Sequence, residues 1–95
     1  MANIGNMNFN FDTKANAWSS GVTQLTGNTI LELTLPKQGR IVVRKSNTGG
    51  RPWPIVLASP YTGPDFQVYI HGQAKGKYII IETTAKPSNA NLYNV

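Results

Sequence analysis

Apolar residues in this chain recur at every second position, and in no segment do they recur at i, i+3, i+4 and i+7 over two turns. That property sets aside amphipathic helices and leaves strands, whose side chains alternate between two faces. The strongest run is Lys77-Tyr78-Ile79-Ile80-Ile81-Glu82-Thr83-Thr84, with Gly76 before it and Ala85-Lys86-Pro87 after it. Its β-branched and aromatic residues favour a strand. Alternation puts Ile79, Ile81 and Thr83 on one face and Tyr78, Ile80 and Glu82 on the other. Apolar bulk on both faces reads as a central strand covered on both sides.

The other segments follow the same rule. Asn6 to Asp12 alternates strictly, with Met7, Phe9 and Phe11 on one side, and predicts one half-buried strand. Thr13 to Gly21 reads as a loop with Trp18 tucked inward, and Val22–Leu25 as a short strand. Thr29–Leu35 sets Leu31, Leu33 and Leu35 against Ile30, Glu32 and Thr34. Arg40–Ser46 sets Ile41 and Val43 against Arg40, Val42 and Arg44. The short Pro36–Gly39 connection predicts a hairpin between these two. Asn47-Thr48-Gly49-Gly50 is a turn, and Pro52 and Pro54 confine the following segment, with Trp53, Ile55 and Leu57, to a sheet edge or to pairing by its second half. Phe66, Val68 and Ile70 form a further inward face, opposed by Gln67, Tyr69 and His71. Gly72–Gly76 is expected to close a second hairpin onto Lys77–Thr84. The polar C-terminal segment is expected either to fray or to dock as a last strand.

About six to eight short, mainly antiparallel strands with turn signals between them make an all-β domain, a single small β-sandwich of immunoglobulin-like or jelly-roll-like type. Residues 1–95 form one domain, in which 1–5 and 86–95 are candidates for extended arms. A chain of 95 residues buries little more than ~60% of the surface it exposes when unfolded, so self-association would help it.

Composition narrows the function. No cysteine is present, which excludes disulfides, thiolate metal sites and thiol nucleophiles. Nine Lys and Arg against four Asp and Glu give +5, but the basic residues are scattered and dense only from Arg40 to Arg51. Scattered cations mostly serve solubility and edge protection. Met1–Gly5 is polar and no apolar run reaches the length of a signal-peptide core or a membrane span, so neither export nor a membrane partner is expected. Ala2 rules out N-myristoylation.

Catalytic inventory is thin. The carboxylates are Asp12, Glu32, Asp65 and Glu82; Glu32 and Glu82 sit mid-strand, where they could oppose each other or a lysine, but so short a chain leaves little room for a glycosidase cleft. A single histidine, His71, excludes most metal sites, and the Asn47–Gly50 turn lacks a P-loop lysine. No enzymatic activity, cofactor or metal is expected. Aromatic residues at loops and on less buried faces, with asparagine and glutamine around them, suit sugar binding; Trp53, Tyr61 and Tyr69 are the candidate ligand contacts. Arg40, Arg44 and Lys45, with Arg51 and Trp53 nearby, form a basic strand with an aromatic beside it, and Arg40 and Arg44 are candidate contacts for a single-stranded nucleic acid.

The run from Leu33-Thr34-Leu35-Pro36 through Gly39–Ser46, Asn47-Thr48-Gly49-Gly50 and Arg51-Pro52-Trp53-Pro54-Ile55-Val56 to Gly76-Lys77-Tyr78-Ile79-Ile80-Ile81 resembles small β-sandwich domains of tailed-phage virion proteins. Pro52 and Pro54 around Trp53 depart from that pattern. The resemblance implies a capsid-decoration, head-fibre, adaptor or tail component, made in the host cytoplasm without a signal peptide and carried in the virion. A non-viral chain of this kind would be cytoplasmic. The expected function is therefore non-enzymatic assembly through contacts with other copies of the chain or with a capsid or tail protein. Glycan binding is the alternative and nucleic-acid binding the third reading. Little else in the chain is free to cover Tyr78 and Ile80, so either the C-terminal Leu92, Tyr93 and Val95 fold back over them or another subunit does, and Tyr78, Ile80, Leu92 and Tyr93 are the candidate association surface.

Overall fold

Alternating β-branched runs are too short to bury themselves singly, and they do so here by stacking two sheets face to face. The computed structural model describes residues 2–25, 27–61, 66–70 and 77–94. The described residues form ten strands: β1 (Ala2–Asn6), β2 (Asn10–Asp12), β3 (Ala17–Ser19), β4 (Thr23–Gln24), β5 (Thr29–Thr34), β6 (Gly39–Ser46), β7 (Ile55–Tyr61), β8 (Phe66–Ile70), β9 (Tyr78–Thr83) and β10 (Asn89–Asn94). One sheet has the order β1-β10-β5-β8. The other has the order β2-β3-β9-β6-β7, with β4 also pairing β9. Every pairing is antiparallel.

The core lies between the sheets. Leu31, Leu33, Ala90 and Leu92 from the four-stranded sheet meet Ile41, Val43, Ile79 and Ile81 from the other, while Phe9, Leu25 and Leu35 complete the cluster. The short 20 Å axis of the molecule fits two layers about 10 Å apart. The chain is thus a small all-β sandwich. β9 is central, as its sequence predicts, and Ile79, Ile81 and Thr83 are its buried face.

Several expected pairings are replaced. β5 and β6 are not a hairpin: β5 pairs with β10 and β8, and β6 with β7 and β9. A hairpin would set the Leu31/Leu33 and Ile41/Val43 faces side by side in one layer, whereas crossing at 35–38 turns them toward each other. For the same reason β8 and β9 lie in different sheets. The expected turn at Gly72–Gly76 falls outside the described residues. The alternating run from Asn6 to Asp12 splits into β1 and β2, one in each sheet. Phe9 is buried at the crossing, but Phe11 is half exposed, edge-on to Trp18 at 5.5 Å. Residues 17–19, expected in a loop, form β3 because Trp18 aligns with Thr83 of β9. The ladder continues past β3 through Ser20: its N–H donates to the Ile81 carbonyl (2.9 Å), and its Oγ accepts the Ile81 N–H (3.0 Å). Residues 2–6 and 89–94, expected at the termini as arms, pair with each other as β1 and β10.

β7 is an edge strand, as Pro52 and Pro54 predict, and it starts immediately after Pro54. Pro60 sits opposite Arg40, whose N–H and carbonyl are both engaged by Thr84 on the far side. The missing N–H of Pro60 therefore falls on the free edge, where it discourages pairing with another strand.

One core position invites improvement. Thr29 is fully buried, and its Oγ1 has no hydrogen-bond partner among the described residues. Thr29→Val keeps the shape and removes the unsatisfied hydroxyl. Urea denaturation is expected to show a gain of about 1 kcal/mol; a loss would mean that the hydroxyl is satisfied in solution.

Candidate functional site

Position 2n alternation on β9 and β6 delivers one set of side chains outward from the larger sheet. Register aligns Val42 with Glu82 and Ala58, and Arg44 with Ile80 and Ile55. A β-bulge between Val43 and Arg44 brings Ile55, rather than Val56, opposite Arg44. Ile55 is 50% exposed, and Val42 and Ile80 are half-buried on the same outward rows. The result is an apolar patch on the outer face at the β7 edge.

An ion pair lies within it. Arg44 Nε donates to Glu82 Oε1 at 2.7 Å, and Arg44 Nη1 donates to the Trp53 carbonyl at 3.2 Å. The Glu82 side chain is 13% exposed and that of Arg44 35%. Such a charge-assisted bond is short and directional, and fixes the guanidinium in place. Arg40, exposed at the next outward position of β6, adds an open cation. Together with Asn16, Thr84 and Ile55 these residues line a shallow depression of about 270 Å³. It offers an exposed arginine to an acceptor, with apolar surface around it.

Tyr78 is covered by its own chain. A Cβ built on Gly49 would lie 3.3 Å from the Tyr78 ring, so the Asn47–Gly50 turn packs on that ring. Gly49 also has φ +79°, a left-handed conformation suited to glycine. Ser46 fixes the same turn, donating from Oγ to the Gly50 carbonyl (2.6 Å) and accepting the Thr48 N–H (3.3 Å).

The four residues of the expected association surface do not meet. Ile80 is on the outer face of the larger sheet, and Tyr78 lies under the turn. Leu92 is 2% exposed in the core, and Tyr93 is on the outer face of the smaller sheet, aligned with Ile30. The segment at 89–94 cannot cover Tyr78 and Ile80, because pairing with β5 and β1 holds it in the opposite layer.

The candidate ligand contacts divide likewise. Arg44 meets the Trp53 carbonyl and shares a depression with Arg40, whereas Tyr69, 50% exposed, is on β8 of the other sheet. The Tyr61 side chain and His71 lie outside the described residues. The basic run of β6 is divided between faces, since Lys45 aligns with inward Ile79 while Arg44 faces out. Burial, and then the nearby charge of Lys77, lower the Lys45 pKa from its ordinary value. Among the described residues no three of His, Cys, Asp and Glu gather as a metal site, and no helix is long and apolar enough to cross a membrane.

Glu32 and Glu82 do not oppose each other; they stand on the outer faces of different sheets. Glu32 is instead the centre of a polar network. Its Oε2 accepts from Gln67 Nε2 at 3.1 Å, and its Oε1 accepts from Asn89 Nδ2 and Tyr93 Oη, both at 3.4 Å. Asn91 Nδ2 donates to Asn89 Oδ1 at 2.9 Å. Loss of solvent around the phenol, followed by the Glu32 charge and its hydrogen bond, raises the Tyr93 pKa. Sequence reading missed this cluster because its members come from three strands whose neighbours are set by the fold. The alternation of Glu32 with Leu31 and Leu33 was the available signal that it faces outward.

No protein-family model matches the chain, and no curated protein or solved structure matches it.

Proposed function

We propose that this protein is a non-enzymatic structural module of a virion or comparable assembly, acting through protein–protein contacts. The observation that supports this reading most is the Ile55/Val42/Ile80 patch around the Arg44–Glu82 pair. Apolar surface enclosing an oriented arginine is the usual make-up of an interface centre. Pro60 discourages strand addition at the adjoining edge, so the partner docks on the sheet face. Arg40 and the net charge of +5 favour an acidic surface on that partner, such as a shell or tail subunit. The resemblance of 31–83 to tailed-phage virion domains points the same way.

Mass spectrometry of particles produced from the source genome is the first test, and the chain is expected as a stoichiometric constituent. Ile80→Lys and Ile55→Asp should fold with melting temperatures close to the parent, because both positions face out, yet be lost from those particles. Particles without the chain, or undiminished incorporation of both variants, would overturn the assignment.

A further inference from the structure

The opposite face of the molecule carries a second surface of different chemistry. On the four-stranded sheet, register places Tyr93, Ile30 and Tyr69 in one outward row across β10, β5 and β8, and Asn91, Glu32 and Gln67 in the next. The two tyrosines stand two strands apart, about 9–10 Å. Tyr69 is half exposed, and Gln67 and Asn89 are exposed, so the row of rings borders an open polar strip.

Among the described residues, the donors that reach Glu32 are all neutral: one phenol and two amides. An ionised carboxylate has about four acceptor sites, and bonds from the described residues occupy three of them. Gln67 and Asn89 present both donor and acceptor atoms beside it. A fixed carboxylate repels phosphate, which disfavours nucleic acid here, whereas a hydroxyl group can donate to it. Adjacent hydroxyls of a sugar match the carboxylate and amide pair, and the apolar face of the same ring can lie on Tyr69. Among the described residues, one exposed ring, Tyr69, and the partly covered Tyr93 and Ile30 supply little apolar area for a stable protein interface.

From this arrangement we infer that the outer face of the β10-β5-β8 strands is a binding surface for neutral oligosaccharides, with Glu32, Gln67 and Asn89 bonding hydroxyls and Tyr69 stacking on a sugar ring. The site is independent of the patch on the other sheet, and an assembly module bearing it would hold a particle to a glycan-coated surface.

The experiment is an array of immobilised neutral and acidic oligosaccharides probed with the intact chain, followed by calorimetric titration of the strongest soluble neutral hit. Tyr69→Ala is expected to weaken that binding about tenfold, the equivalent of one ring-stacking contact. Gln67→Ala should weaken it as well, and Trp53→Ala, on the other sheet, should leave it unchanged. Thermal melts of each variant separate loss of binding from loss of fold. A silent array, a preference for acidic glycans, or neutral-glycan binding that survives Tyr69→Ala and Gln67→Ala in folded protein would each overturn the site. Retention of a labelled oligonucleotide that is abolished by Tyr69→Ala would do the same.

Discussion

A chain ending at Ser88 is expected not to fold. The segment beyond it carries β10, which aligns six residues with β5 and four with β1, and so holds the smaller sheet together. Without β10, β1 loses its partner and β5 becomes an edge. The core also loses Ala90 and Leu92, 6% and 2% exposed. Truncating one buried leucine to alanine costs about 2–5 kcal/mol, and a small domain has a total stability on the order of 5 kcal/mol. Losing the whole strand exceeds that total. Far-UV circular dichroism and the dispersion of amide proton shifts report the outcome directly. A cooperative melt from the truncated chain would show that β10 is dispensable and that the sheet order β1-β10-β5-β8 is not what stabilises the fold.

The second large effect is confined to one side chain. Ile81→Ala is expected to cost about 4 kcal/mol, because Ile81 is fully buried between the sheets and a well-packed site closes only partly over the void. In a domain of this size that corresponds to a fall in melting temperature of roughly 20 °C. Ile80→Ala, one residue earlier, should cost under about 1 kcal/mol, since Ile80 is half-buried on the outer face. The contrast between neighbours is the real test, as it depends on the two-residue period and not on composition. Equal costs at 80 and 81 would mean that both faces of β9 are covered in solution. That result would support a docked partner if the cost at 80 depended on protein concentration.

The two outer faces give the molecule two chemistries. One combines an exposed isoleucine and a half-buried valine with an arginine held by Glu82 and the Trp53 carbonyl. The other is an amide, phenol and carboxylate network with a half-exposed ring beside it. They arise from the same mechanism. Each strand of a two-layer sandwich spends its inward residues on the shared core and leaves alternate residues for solvent or for ligands. Lys45 shows the cost of violating that alternation: it stands opposite inward-facing Ile79, and burial lowers its pKa. Its charged form is therefore disfavoured in the folded state. Its contribution to stability is present above the ordinary lysine range and is lost as pH falls through the lowered value.

Taken alone, the sequence determined the local chemistry of this protein. Period-two patterning made it all-β, the Ile79/Ile81 and Leu31/Leu33 faces marked the core, and Pro52 and Pro54 put β7 at an edge. Those features rest on steric preference and burial within a few residues, so they are legible along the chain. Pairing was not. Leu31/Leu33 and Ile41/Val43 look the same whether their strands are neighbours in one sheet or partners across two. Only closing a common core decides between them. Residues 89–94 carry too weak a pattern to announce a central strand, and they become one because β1 and β5 both need a partner. Tertiary structure also decided which outward residues meet. It separated Tyr78, Ile80, Leu92 and Tyr93, which sequence reading had grouped, and it gathered Glu32, Gln67, Asn89 and Tyr93 from three strands. Long-range register sets those distances, and no local propensity encodes it.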